Sequence, residues 1–464
     1  MCYFGARQNL NMVKLMFAIA TAITLVSCNA NPSTSPQANN KTMDSSAGTD
    51  WIKSTNIYEV NVRQYTPEGT FNAFAAHLPR LKEMGIKTLW FMPITPIAQE
   101  NKKGSMGSPY ACTDYTAINP EFGTLEDFKA LVSTAHGQGF KVIIDWVANH
   151  TGWDHRWTKE HPDWYEKDSA SGGFKRASGM DDIIELDFKN PQLRKAMIDA
   201  MKFWVEEAGI DGFRADLAFW VELDFWVEAK AELHKQKQLY WLGELDPLEH
   251  PDYMQVFDAA YTWTWMHKTR EFYQNQQSVA VLDSVLQRYA SVAGTQAWFT
   301  TNHDENSWNG SEYEKYGEAA KALAVFSCTW KGVPLVYSGQ ELPNKKRLEF
   351  FEKDAIKWTG TFELQDFYKT LLNLRSAHPA LHSDAEVTRL RTSDDGSVLA
   401  YLRKSGAREV LVLLNLSAKN NLRFELNSDA VKGNFKNVFS GAANDFTSEK
   451  NFEMQAWEFL VYEK

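Results

Sequence analysis

From Trp51 onward, short runs of β-branched and aromatic residues alternate with longer amphipathic stretches, a pattern that points to a parallel sheet wrapped by helices. Eight strand-like runs are present: IYEVNV from Ile57, KTLWFMPI from Lys87, KVIIDWV from Lys141, GFRADL from Gly212, YWLGEL from Tyr240, AAYTWTW from Ala259, AWFTTNHD from Ala297 and PLVYSG from Pro334. Intervening segments such as TLEDFKALVSTAHGQG and NPQLRKAMIDAMKFWVEEAG open on a polar cap and close on glycine, as helices do. The expectation is an α/β chain with a (β/α)₈, or TIM, barrel over residues 51–380. A polar insertion over residues 148–188 separates the third and fourth runs, and loops of that length in a compact domain usually serve function. Beyond His378 the rhythm shortens to alternating strands such as VLAYLRK, EVLVLLNL and AWEFLVYEK, which predicts an antiparallel β-sandwich over residues 381–464.

Titratable side chains collect at the ends of these runs, where a barrel builds its site. Asp145, Asn149 and His150 follow the third run, Arg214 and Asp216 close the fourth, Glu244 closes the fifth, and His303 and Asp304 close the seventh. One acidic residue after a strand is commonly a helix cap, but joint placement at four strand ends is not explained that way. Two carboxyl groups flanking one bond are what glycoside hydrolysis needs, and neighbouring strand ends can hold Asp216 and Glu244 so. Arg214, two residues before Asp216 and on the same strand face, keeps the nucleophile ionised. Anions near Glu244 favour its protonated form, which suits acid work.

Lys and Arg number 49 against 59 Asp and Glu, a formal charge of −10, so the chain has no basic field for a phosphate backbone and nucleic acid is not an expected partner. A neutral substrate suits it better. Aromatic residues make up 13% of the chain; most serve a core, and some rings can stack on the CH faces of a sugar.

The N-terminal region carries its own message. From Met12 the chain reads MVKLMFAIATAITLVSC, a short basic start, an apolar run too short for a membrane span, then small residues, which is the order of an export signal. Its end, Leu25-Val26-Ser27-Cys28, resembles a bacterial lipobox, implying cleavage after residue 27, lipid on Cys28 and residence in a bacterial cell envelope, on the periplasmic or the surface side. Residues 1–28 are then the signal and its anchor residue, and the polar stretch 29–50 a flexible tether. Cys112 and Cys328 are expected to be buried apolar residues rather than a disulfide framework.

Four segments in order, DWVANH at Asp145, GFRAD at Gly212, GEL at Gly243 and TNHD at Thr301, resemble the signature regions of the α-amylase family of glycoside hydrolases. SPYACTDYTAINPEFGT, DIIELDFKNP and GVPLVYSGQE support the likeness, which runs from about Trp51 to the end. The resemblance implies an α-glucan substrate and no required cofactor. It implies Asp216 as nucleophile, Glu244 as acid/base and Asp304 as a third carboxylate gripping sugar hydroxyls. Arg214, His150 and His303 would hold the nucleophile and the cleaved sugar, and Tyr110 would stack beneath that sugar. Retention through a covalent glucosyl intermediate follows.

The resemblance also implies a structural calcium at Asn149, with Asp187 as a further oxygen ligand. Phe219 and Trp220 stand where many α-amylases carry Lys-His, which argues against that shared calcium site. They could form a sugar platform or pack on the barrel, and Trp308 in the stretch after TNHD has the same two readings. Interception of the intermediate by a sugar would make a transglycosylase; a non-catalytic glucan-binding lipoprotein would be expected to lack at least one carboxylate, and all three are present. Endo or exo action and oligomeric state do not follow from these residues.

Overall fold

The computed structural model describes residues 50–464 apart from residue 359. The expected signal with Cys28, and the tether as far as residue 49, lie outside the described residues. All eight runs contain strands. They begin with β1 (Ile57–Val60), β2 (Thr88–Phe91) and β3 (Lys141–Trp146). In the insertion, β4 (His150–Gly152) and β5 (Ile183–Glu185) pair as an antiparallel ribbon. The barrel resumes with β6 (Gly212–Ala215), β7 (Tyr240–Gly243), β8 (Ala259–Tyr261), β9 (Thr295–Trp298) and β10 (Val333–Tyr337). Going round, β1-β10-β9-β8-β7-β6-β3-β2 close into a parallel barrel. The run AAYTWTW yields only a short strand, because a helix, Trp263–Gln274, begins within it.

The barrel strands read as apolar on both faces because both faces are covered. Along β3, Val142 and Ile144 face the surrounding helices and Ile143 the barrel interior; along β7, Trp241 faces out while Tyr240 and Leu242 face in. Glu59, Asp145 and Arg214 break this apolar rule, and each is buried. Gly212 opens β6 for a steric reason, since a Cβ there would lie 2.0 Å from the Tyr240 carbonyl oxygen on β7.

The helices start where the sequence signals a cap. Thr124 accepts from the Asp127 N–H and Asp127 from the Thr124 N–H, a capping box opening helix Leu125–Gly137. Asn190 accepts from Gln192 and Leu193 to open Pro191–Ala208, which ends on Gly209 in the left-handed conformation.

The C-terminal strands are β11 (Glu386–Thr392), β12 (Val398–Ser405), β13 (Arg408–Asn415), β14 (Leu422–Asn427), β15 (Asn434–Asn437), β16 (Ala443–Asp445), β17 (Asn451–Met454) and β18 (Phe459–Glu463). They are antiparallel, as expected, and hydrogen-bond in the order β16-β15-β18-β13-β12-β11-β14-β17, a sheet that curls on itself so that Phe446, just after β16, packs on Phe452 of β17 at 5.6 Å. Val398, Ala400 and Leu402 of β12 line its own core with Phe424, Phe435 and Met454. Leu399 and Tyr401 of the same strand turn to the barrel's outer core, where Tyr401 bonds Thr329 at 2.6 Å and packs on Trp330.

Two buried arginines tie the junction together without a carboxylate. Arg375 donates to the carbonyls of Thr55 at 2.9 Å and Gly332 at 2.6 Å, and to that of Leu381. Arg403 donates to Thr329, His382 and Glu386 carbonyls. Burial pulls the Arg375 guanidinium down only to about 10, so it is charged at neutral pH. Arg375→Met should strand three buried carbonyls and lower stability by roughly 3 kcal/mol or more, read as a shift in the urea unfolding midpoint; an unchanged midpoint would remove the clamp.

Candidate active site

The barrel ladder delivers the acidic residues. Asp145 on β3 lies directly beside Arg214 on β6. One step further, the Asp216 N–H donates to the Trp146 carbonyl at 3.0 Å and the Glu244 N–H to the Ala215 carbonyl at 3.0 Å, so both are still held by sheet-like backbone bonds. Immediately afterwards Leu217 adopts φ +39° and ψ 51°, a left-handed conformation that costs a branched residue on the order of 1–2 kcal/mol. The turn aims the Leu217 N–H at Glu244 Oε2, 2.8 Å away.

Arg214 is the hub. Its Nη1 donates to Asp145 Oδ1 at 2.9 Å and to Asp216 Oδ1 at 2.8 Å, and its Nε meets the Tyr261 hydroxyl at 3.3 Å. Nη2 lies 2.9 Å from Glu244 Oε2, yet it is without a directed hydrogen bond; we take that contact as an ion pair approached off the bonding line. The Arg214 side chain is fully buried and lies over the Trp90 ring at 4.9 Å. Asp216 and Glu244 thus converge on the terminal nitrogens of a single planar fork.

A second chain of contacts runs across the barrel mouth. Asp145 Oδ2 faces Trp90 Nε1 at 3.2 Å and the Tyr110 hydroxyl at 3.1 Å; that hydroxyl also lies 2.8 Å from His303 Nε2. His303 Nδ1 meets Glu59 Oε1 at 2.5 Å, and Asp304 Oδ2 lies 3.4 Å from His303 Nε2. Tyr110 and His303 rings stack at 5.4 Å, with the Phe350 ring 6.1 Å from both.

Burial raises the pKa of each carboxyl around Arg214, and the guanidinium opposes it. Glu244 is pushed up to about 7, with the Asp216 and Asp304 anions adding to burial. Asp145, Asp216 and Glu244 titrate as a set rather than singly. Burial alone drives His150 down to about 4, leaving a neutral ring whose Nε2 has no partner among the described residues.

The sequence-derived catalytic and sugar-contact residues border this mouth: Tyr110, Arg214, Asp216, Glu244, His303 and Asp304 through the distances above, and His150 with its ring against the Tyr110 backbone; Asp145, expected to support the barrel end, lies among them. Asn149 and Asp187 come near each other because the Leu186 N–H bonds the Asn149 carbonyl at 2.9 Å. Asp187 Oδ1 is taken by the Lys189 N–H, and among the described residues no group of three or more His, Cys, Asp or Glu side chains could hold an ion. Phe219 stacks on His250 at 4.4 Å, which covers one face of its ring. Trp308 is 50% exposed at the rim, 5.3 Å from Phe350. Cys112 and Cys328 are free, buried thiols.

Sequence reasoning passed over Glu59, Trp90, Tyr261 and Leu217. Glu59 had a legible signal, a charge in the middle of an apolar barrel run. Trp90 and Tyr261 sit among residues of similar character, and nothing local marks Leu217 as left-handed.

The alpha-amylase catalytic-domain family model matches residues 37–174 and 163–380. In three dimensions the chain is similar to a noncanonic maltogenic alpha-amylase from Thermotoga neapolitana, with a TM-score of 0.81 and 31% identity over 89% of this chain and 99% of that one. In sequence it is 29% identical to alpha-amylase MalA of Haloarcula japonica over 80% of this chain, spanning 56% of that relative's length. It is 26% identical to the maltogenic alpha-amylase of Bacillus acidopullulyticus over 89% of this chain and 78% of the relative. With the barrel, the shared guanidinium and these matches together, the chain belongs to the alpha-amylase family.

Proposed function

We propose that this protein is a retaining glycoside hydrolase that cleaves α-1,4-glucosidic bonds in starch-like glucans or maltooligosaccharides. The observation that carries the reading is one buried guanidinium binding carboxyls from adjacent barrel strands, Asp216 at 2.8 Å and Glu244 at 2.9 Å. Names of the relatives, alpha-amylase and maltogenic alpha-amylase, agree with it.

Arg214 holds Asp216 Oδ1, which leaves Oδ2 to attack the anomeric carbon. As that bond forms, the glycosidic C–O bond breaks and the departing oxygen takes the Glu244 proton. Water then attacks the same carbon, its proton passes to Glu244, and the ester to Asp216 breaks, restoring both groups. Arg214 and the Leu217 N–H stabilise Glu244 when it is charged between the two steps. Asp304 grips sugar hydroxyls from the His303 side, Tyr110 lies beneath the sugar, and the unpartnered His150 Nε2 takes a hydroxyl. A sugar hydroxyl in place of water would give transfer by the same route.

Asp216→Asn and Glu244→Gln should each lower kcat by at least about a thousandfold while the protein stays folded, because Asp145 still pairs with Arg214. Product anomers followed by proton NMR during the first turnovers of the wild type should be α. Full activity in either variant, or a β product, removes the assignment, and a product profile on graded maltooligosaccharides separates hydrolysis from transfer.

The acid must be protonated to act, so activity falls as pH rises through the Glu244 value of about 7. A kcat/KM profile measured from pH 5 to 9 should show that alkaline limb, and a profile level to pH 9 would contradict the role of Glu244.

The proposal extends to location: Cys28 carries lipid and holds the enzyme in a bacterial cell envelope by the signal read from Met12. Cys28→Ala should move activity from the membrane fraction to the soluble fraction with kcat unaltered. Equal partition of variant and wild type would reject the anchor.

A further inference from the structure

The Tyr110 hydroxyl has one proton and two neighbours able to accept it, Asp145 Oδ2 at 3.1 Å and His303 Nε2 at 2.8 Å. Asp145 accepts from Arg214 Nη1 on Oδ1 and from Trp90 Nε1 on Oδ2, and the Tyr110 hydroxyl donates to the same Oδ2. His303 Nε2 must then be the donor to Tyr110. On the other side of the ring, Nδ1 lies 2.5 Å from Glu59 Oε1, an oxygen that the His303 backbone N–H also approaches at 3.4 Å. Oε1 accepts that N–H, and a carboxylate there takes Nδ1 as a second donor. A histidine donating through both nitrogens is an imidazolium.

We propose that Glu59, buried on β1, is a positioning residue that holds His303 as an imidazolium, which in turn fixes Tyr110 and the third carboxylate, Asp304, against the sugar. The proposal rests on the hydrolytic reading above and deepens it. Glu59 is fully buried, and its Oε2 has no hydrogen-bond partner among the described residues, so His303 is its polar anchor. The groups facing His303 are Glu59 from β1, Tyr110 from the segment after β2, Asp145 from β3, Arg214 from β6 and its own neighbour Asp304. Burial works against a charged ring and Arg214 adds to that, but Asp304 and Glu59 outweigh both and hold it up at about 9. The charged ring keeps a donor directed at Tyr110 and lies beside the Asp304 carboxyl, so the sugar meets a fixed ring and a fixed carboxyl.

Glu59→Gln keeps an acceptor for Nδ1 but removes the charge. The direct test is the ring ¹⁵N spectrum of full-length protein, with His303 assigned by its loss in His303→Gln. The wild type should show both His303 nitrogens protonated from pH 6 to 8, and Glu59→Gln should lose one proton within that range. In maltooligosaccharide hydrolysis the wild-type alkaline limb belongs to Glu244, whereas in the variant loss of the His303 proton comes first and sets a limb about one pH unit lower, so that kcat is close to wild type at pH 5.5 and down roughly tenfold at pH 7.5. A merely structural Glu59 would lower the unfolding temperature without moving the limb, and that outcome overturns the proposal. So does a wild-type ring protonated at Nε2 alone, which would place the other proton on Glu59 and which needs no variant to observe. A wild type silent on every α-glucan would overturn the hydrolytic reading, while the ring signal would still decide the role of Glu59.

Discussion

Three buried carboxyl groups cannot share a small apolar enclosure unless something balances them, and in this protein the counterweight is the single guanidinium of Arg214. It sits on β6 with Asp145 beside it, Asp216 two residues on and Glu244 at the end of the next strand. The cost of burying that cation is met only by the anions around it. The anions in turn are kept from mutual repulsion by its fork, so fold and chemistry depend on the same contact. Trp90 and Tyr261 add ring faces and a hydroxyl, which makes the arginine part of the barrel interior rather than a visitor from a loop.

Rigidity near the reacting groups has two origins. Backbone bonds from Asp216 and Glu244 continue the barrel ladder past the formal ends of β6 and β7, so neither carboxyl depends on a loop for its position. The left-handed turn at Leu217 shows the opposite device: a locally unfavourable conformation retained because it points one N–H at Glu244. Trp308 is half exposed on the rim beyond β9, whose base is pinned by the buried Lys315 ammonium, which bonds Glu305 and the Thr300 carbonyl.

Much of this was legible in the sequence. Apolar runs covered on both sides announced the barrel strands, and the residues closing them announced the site, because strand direction places all such ends at one mouth. Where legibility failed, the cause was spatial. The sheet at the C-terminus has β12 and β13 apolar on both faces, and a linear pattern cannot say whether the second face meets another sheet or a helix layer. Glu59 was visible as a charge in β1, but its partner lies far along the chain on the segment after β9. Leu217 carries a conformation that its side chain disfavours, so residue type argued against it.

The two-sided burial of β12 has an implication for how such enzymes are assembled. Tyr401 and Leu399 complete the outer wall of the barrel over Thr329 and Trp330, and Arg403 crosses the same seam. The terminal sheet is consequently a roof over barrel helices rather than a detachable module. Recombining this catalytic half with a foreign appendage would demand matched apolar relief at that seam, which restricts which partners evolution or engineering can graft there.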